Sequence, residues 1–326
     1  MTKASIIVPS YNATATLTET LDSLCAQTYG DFEIIVLDDG STDATADLAA
    51  NHGDPRIRVV SQKNRGLAGA RNGGIAAARG TFIGFCDADD LWQPTKLAAH
   101  VRHLENNPHV GLSFSGSELI DADSQPLGLS QQSRLTGINA AHVFKRNPVG
   151  NGSAPVFRRA ALDSIAFRPD GETERDWWFD ETFRQSEDIE CWLRFALTTD
   201  WLIEGIPGLL TRYRVVASGL SAATDRQFAA WERLVTKLTP LAPAFFAEHA
   251  SAARAYQLRY LARRAISSGN GTEARLRMRA AMASSARPLV EEPVKTLTTM
   301  AAATLLAVLG PDRLRRVMSL AGRKLA

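Results

Sequence analysis

Four short apolar runs, at residues 5–8, 33–37, 57–60 and 81–86, recur through the first ninety residues, with amphipathic stretches at 14–27, 43–51 and 67–79 between them. Runs this short read as strands. The stretches between them carry helical spacing, as in the first, where Leu17, Leu21, Leu24 and Cys25 recur at i, i+4, i+7 and i+8. Strand, helix, strand in regular alternation predicts βαβ units, and therefore a parallel sheet. The strands are apolar on both faces, as expected where helices cover both sides.

In such sheets ligands bind at the carboxyl ends of the strands. The first strand is followed by Pro9-Ser10-Tyr11-Asn12, the second by Asp38-Asp39-Gly40-Ser41-Thr42-Asp43 and the fourth by Asp87-Ala88-Asp89-Asp90. Polar and mostly acidic groups from distant loops thus converge on one rim. An isolated D-x-D is ordinarily a turn and helix cap, here before a helix that Pro94 helps to start. Three crowded carboxylates exceed that need, since they repel one another. A hard divalent cation, Mg²⁺ or Mn²⁺, relieves the repulsion and leaves coordination positions open for phosphate oxygens. In the Asp38–Asp43 loop, Ser41 or Thr42 is expected to cap the next helix, while a spare carboxylate there can accept from a base N–H or a ribose hydroxyl. The chain has neither G-x-G-x-x-G nor G-x-x-x-x-G-K-[ST], which argues against a dinucleotide or P-loop site.

Beyond Pro108 the pattern loosens. Residues 110–120 read as a strand and are followed by Gly150-Asn151-Gly152-Ser153, the pair Trp177-Trp178, a helix from about Glu187, and strands at 201–206 and 209–215. From about Thr224 the chain is helical and rich in Ala and Arg. Residues 252–287, broken at Gly269-Asn270-Gly271, form an expected αα-hairpin resembling one tetratricopeptide-type unit. Charge separates along the same line. Residues 251–326 hold 14 basic and four acidic residues, net +10, and residues 1–250 hold 23 basic and 31 acidic, net −8. An acidic body argues against a nucleic-acid partner, whereas the basic tail is suited to anionic lipid or to a solvated helical face. Residues 296–309 are uncharged but too short to span a bilayer. The helix after them places Leu314, Val317, Met318, Ala321 and Leu325 on one stripe, with Arg313, Arg316, Arg323 and Lys324 largely off it, an interfacial pattern. Three scattered cysteines (Cys25, Cys86, Cys191) and no signal-peptide pattern at the N-terminus lead us to expect a cytosolic protein, peripheral on the inner face of the membrane if the tail binds lipid.

SIIVPSYN at 5–12, VLDDGSTD at 36–43, NRGLAGARNGG at 64–74, FCDADD at 85–90 and SEDIECWLR at 186–194 stand in the order and spacing of family 2 glycosyltransferases of the GT-A fold, which residues 4–222 resemble. The resemblance implies a nucleotide-sugar site, with Pro9, Tyr11, Asp39 and Arg71 around base and ribose, Asp87 at ribose and sugar, and Arg214 facing the diphosphate. It implies Asp89 as the ligand of Mg²⁺ or Mn²⁺, and Asp188, with Glu187 beside it, as the general base. Family members often carry a histidine two residues after the arginine matched by Arg214. Val216 stands there, so a third protein ligand is not assigned. Trp177 and Trp178 offer faces for an acceptor sugar or core packing.

The expected fold is therefore α/β, a GT-A domain with its nucleotide-sugar half at 1–110 and its acceptor and base half at 111–224, plus a helical basic region at 225–326. The expected activity is inverting transfer from a nucleotide-diphospho-sugar, most simply a UDP-sugar, to a glycan or lipid-linked acceptor in surface polysaccharide synthesis. Three alternatives fit less well. A D-x-D phosphatase wants Thr or Val just past the second Asp, where Asp90 stands. A sugar-1-phosphate nucleotidyltransferase needs a Gly-rich basic loop where Pro9-Ser10-Tyr11 stands, and a silent sugar-binding or scaffold protein has no use for an intact Asp188.

Overall fold

The computed structural model describes residues 2–216 and 224–320, with side chains beyond Pro311 excluded. The interfacial stripe expected from Leu314 onward therefore lies outside the described side chains. The chain divides into two compact units, Met1–Val143 with Asn147–Leu220, and Phe144–Arg146 with Ser221–Ala326.

The first unit is built on one nine-stranded mixed sheet. Strands β1 (Ala4–Ser10), β2 (Phe32–Asp38), β3 (Ile57–Ser61) and β4 (Phe82–Phe85) run parallel in the order β3-β2-β1-β4. They alternate with α1 (Leu17–Cys25), α2 (Thr45–Ala50) and α3 (Gly66–Ala77), as the periodicity predicts. Every residue of β1 and β2 is buried, since both lie inside the sheet. β3, at the edge, stays half-exposed, which departs from the expectation of strands covered on both faces.

Past β4 the sheet changes sense. β8 (Val156–Arg158) lies antiparallel to β4 and to β6 (Val110–Ile120), and β9 (Leu202–Arg214) runs parallel to β6. The short β5 (Leu91–Trp92) closes on β9, and β7 (Pro126–Gln131) pairs with β6. The two strands expected at 201–206 and 209–215 are this one strand. Its register against β6 jumps from Ser115↔Ile206 to Gly116↔Leu209, so Pro207 and Gly208 form a bulge within a continuous ladder. Helices α4 (Lys96–Asn106), α5 (Ala140–Arg146), α6 (Arg159–Asp163) and α7 (Glu187–Thr198) complete the series to Arg214.

The second unit is helical: α8 (Thr224–Leu238), α9 (Pro243–Ser267), α10 (Gly271–Ser284), α11 (Arg287–Glu291) and α12 (Pro293–Leu320), kinked at Gly310. The break between α9 and α10 falls at Gly269-Asn270, and the Asn270 side chain caps α10 by accepting from the Glu273 N–H. Ala262, Ala265, Ala274, Met278 and Ala303 form one buried cluster in this unit. The apolar part of α12 is longer than residues 296–309. Pro293–Pro311 spans 19 residues, long and apolar enough to cross a membrane by length and composition. Its Thr296, Thr299, Ala303 and Leu306 are nevertheless buried within the unit, and Val294, Leu297, Leu305 and Val308 form an exposed opposite face.

Candidate active site

The rim at the carboxyl ends of β1, β2 and β4 gathers the expected residues, and each is fixed differently. Pro9 is buried in β1, one residue before the strand ends, and Tyr11 stands exposed on the rim beyond it. Asn12, at φ 50°, accepts from the Thr42 N–H through its side chain, and its own N–H donates to Ser41 Oγ. Ser41 and Thr42 thus tie two rim loops together, and neither caps α2 as expected. Asp43 instead accepts from the Thr45 N–H and hydroxyl at the helix start.

Asp39 is buried, and its carboxylate accepts from Gln62 Nε2 (2.7 Å) and from the backbone N–H groups of Arg65 (2.9 Å) and Gly66 (2.8 Å). It anchors the start of α3, where Gly66 adopts φ 79°. Little of its acceptor capacity remains for a ribose.

Arg71 is the organising group. Far from lying on a helix surface, it is almost fully buried. Its Nη1 donates to Glu187 Oε1 (2.6 Å), and its Nη2 to both carboxylate oxygens of Asp87 (2.8 and 3.2 Å). Burial works against the guanidinium charge, but Asp87, Glu187 and Asp188 more than offset it and hold the pKa above its ordinary value. Next to it, Asn72 accepts the Trp178 and Phe179 N–H groups and donates to Glu181 and the Phe179 carbonyl. Helix α3 therefore carries the anchors of both the acid loop after β4 and the segment leading to α7. The sequence reading missed Asn72. The signal was a pair of polar residues, Arg71-Asn72, in a helix whose other residues are Gly, Ala, Leu67 and Ile75, where the small neighbours permit close approach.

Asp87 and Asp89 are half-buried. Burial first, and then the Asp87 charge, push Asp89 up to about 6. Asp90, by contrast, is fully buried and structural. It accepts from the Ser153 hydroxyl (2.6 Å) and the Arg214 N–H (2.9 Å). Among the described residues, no group of three or more His, Cys, Asp or Glu side chains is arranged to hold a metal.

Arg214 differs most from expectation. It is buried, and its guanidinium donates to the carbonyls of Asp89, Asp121 and Ala122 and to Glu19 Oε2. A contact with a diphosphate would require some of these bonds to be given up.

Glu187 and Asp188 open α7, directly after Ser186, whose φ of 60° is uncommon for a side chain other than Gly or Asn. Burial first, and then the Glu187 carboxylate, push Asp188 up to about 7. The helix is held by its buried stripe, in which Trp192 packs on Phe157 and Phe179. Trp178 is buried, with its indole N–H on Asp163, and belongs to the core. Trp177 packs edge-on against Phe167 and donates to Glu172. A carboxylate that titrates near neutrality, held rigidly beside an acidic rim, is equipped to accept a proton from a weak acid.

A mixed sheet whose parallel half ends in an acid loop defines the GT-A class. Residues 5–165 match the model of glycosyl transferase family 2, and this part of the chain belongs to that family. It is 52% identical over 105 residues (32% of this chain, 30% of the relative) to the uncharacterized glycosyltransferase EpsJ of Bacillus subtilis. Over 121 residues (37% of this chain, 47% of the relative) it is 36% identical to an Escherichia coli protein, the UDP-Glc:alpha-D-GlcNAc-diphosphoundecaprenol beta-1,3-glucosyltransferase WfgD. The matches span about a third of the length of the first of these curated relatives. The mannosyltransferase PcManGT from Pyrobaculum calidifontis, solved with GDP-Man and Mn²⁺, shares the fold at a TM-score of 0.55 and 21% identity, covering 99% of this chain and 88% of that one. Neither the nucleotidyltransferase nor the scaffold alternative is favoured by these likenesses.

Proposed function

We propose that the chain is an inverting, metal-dependent glycosyltransferase that moves a sugar from a UDP-sugar to a hydroxyl of a lipid-linked or glycan acceptor in surface polysaccharide synthesis. The observation that carries this reading is the buried guanidinium of Arg71. It bonds Asp87 of the acid loop and Glu187 at the head of α7 simultaneously, so the donor rim and Asp188 are held as one piece. The UDP donor is supported by the likeness to the E. coli UDP-Glc glucosyltransferase, and the lipid-linked acceptor by the same likeness.

The donor set fits a hard cation. Burial, and then the Asp87 charge, raise Asp89 out of the ordinary carboxylate range, and a divalent ion offsets both costs. Asp89 would hold the ion, with phosphate and water completing its coordination. When bound, Mg²⁺ or Mn²⁺ supplies charge that stabilises the departing diphosphate.

The chain's own residues account for the rest. Tyr11 and Pro9 border the nucleotide, while Asp87 faces ribose and sugar. Asp188 takes the proton from the acceptor hydroxyl as that oxygen bonds the anomeric carbon. The bond from that carbon to the phosphate oxygen breaks on the opposite face, and the nucleoside diphosphate leaves with the electron pair. One displacement inverts the configuration. Because a sugar hydroxyl is a very weak acid, the fixed position of Asp188 matters more than its basicity. Arg214, engaged elsewhere, supports the acid loop through the Asp89 carbonyl and the Asp90 carboxylate.

We assign the exposed Val294, Leu297, Leu305 and Val308 face of α12 to the headgroup region of an anionic membrane. This puts the protein on the cytoplasmic leaflet, where a lipid-linked acceptor is found. The metal assignment is tested with Asp89→Ala. Calorimetric UDP binding should lose its Mn²⁺-dependent part while the thermal unfolding temperature holds. Unchanged UDP affinity in Mn²⁺ refutes Asp89 as the ligand.

A further inference from the structure

The stretch Gly150-Asn151-Gly152-Ser153 has no role in the reading above, yet it lies against the back of the acid loop. Ser153 is completely buried. Its Oγ accepts from the Asp87 N–H (2.9 Å) and donates to Asp90 Oδ2 (2.6 Å), so one hydroxyl joins the first and last carboxylate residues of the loop. The loop's own turn is closed by the Asp90 N–H donating to the Asp87 carbonyl (3.0 Å).

Three further hydrogen bonds fix Ser153 itself. Its N–H donates to Asn151 Oδ1 (3.1 Å), and its carbonyl accepts from Trp92 Nε1 (3.1 Å) and from Thr211 Oγ1 (3.4 Å). The next carbonyl, of Ala154, accepts from the buried Lys96 Nζ (2.7 Å). Asn151 reaches on to Ser117 Oγ (2.8 Å) and Gln131 Oε1 (3.0 Å). Gly152 supplies the close approach. A Cβ there would sit 2.2 Å from Arg71 Nη2 and 3.2 Å from Asp87 Oδ2, displacing the guanidinium that ties the rim to α7.

We infer that Ser153 is a positioning residue for donor binding, which sets the direction of Asp87 and Asp89 by clamping the ends of their loop, while Gly152 leaves room for the Arg71 bridge. The inference rests on the metal-diphosphate role proposed for that loop. Ser153 touches no substrate. It acts by removing the freedom of a four-residue turn whose carboxylates would otherwise swing apart, and a buried hydrogen-bond network offsets the cost of holding them.

The test compares wild-type protein with Ser153→Ala, titrating UDP by calorimetry in MnCl₂ and in EDTA, with GDP as a second probe. The expected result is UDP affinity in Mn²⁺ weakened about tenfold, the worth of one charge-assisted hydrogen bond, with affinity in EDTA unchanged. Ser153→Thr, which keeps the hydroxyl, should recover most of the Mn²⁺-dependent part. Ser153→Cys keeps the volume without a strong donor, and it takes the place of Ser153→Ala if that variant does not fold. Equal Mn²⁺-dependent affinity in wild type and variant overturns the positioning role while leaving the proposed function standing. If wild-type protein binds neither nucleotide more tightly with Mn²⁺, the proposed function fails and this inference fails with it.

Discussion

The two units bury different kinds of residue. In the first, many charged side chains are buried or half-buried, and several pair across long stretches of the sequence. Arg71 joins residues 87 and 187, Arg65 joins Glu172, Glu174 and Glu181, and Arg194 pairs with Glu190. The helices of the second pack alanines beside larger apolar side chains such as Trp231, Phe246 and Leu258, and among the described residues their buried charged side chain is Arg259, which bonds Thr296 and Glu292. A buried ion pair is a poor means to stability, because desolvation offsets most of the Coulomb gain. In the first unit such pairs gather at the rim, where Arg71 holds Asp87 and Glu187 at once.

The contrast can be broken by removing the cation in each unit. Arg71→Met leaves Glu187 and Asp87 without their shared partner and should cost about 3–5 kcal/mol in urea unfolding followed by tryptophan fluorescence. Arg259→Met should cost about half as much, since Glu292 keeps Arg146 and Lys295 as partners. Equal losses would mean that the rim network is ordinary scaffolding. The smallest effect on stability is expected on the open face of α12. Val294→Ser combined with Leu297→Ser should change stability by no more than about 0.5 kcal/mol per site, since both side chains are exposed. The same pair should nevertheless reduce co-sedimentation with phosphatidylserine vesicles. Unchanged sedimentation would show that this face does not meet lipid.

The local pattern was legible because it is local. The four strands, the helices between them and the break at Gly269-Asn270-Gly271 follow from periodicity and turn chemistry, which act within a few residues. What stayed hidden depends on partners far along the chain. Asp90 reads as one more acid of a metal loop until Ser153, 63 residues on, is seen to hold it. Arg71 reads, from the resemblance, as a neighbour of base and ribose until Glu187, 116 residues away, is seen to accept from it. Pro207-Gly208 reads as a strand break, since Pro cannot donate to a ladder. The bulge against β6 absorbs both residues, and this is a property of the pairing rather than of the strand.

The central claim is that Asp188 accepts the acceptor's proton, and a pH–rate profile tests it most directly. Transfer should be followed by release of UDP from a UDP-sugar, for wild type and Asp188→Asn, across pH 5 to 9. The base works only when deprotonated, and burial with the Glu187 charge raises its pKa to about 7. Wild-type kcat/KM should therefore fall about tenfold per pH unit below that value and level off above it. Asp188→Asn should bind UDP with Mn²⁺ as wild type does, turn over about a hundredfold or more slowly, and lose the acidic limb of the profile. Transfer by Asp188→Asn at near wild-type rate, with the acidic limb intact, would contradict the account.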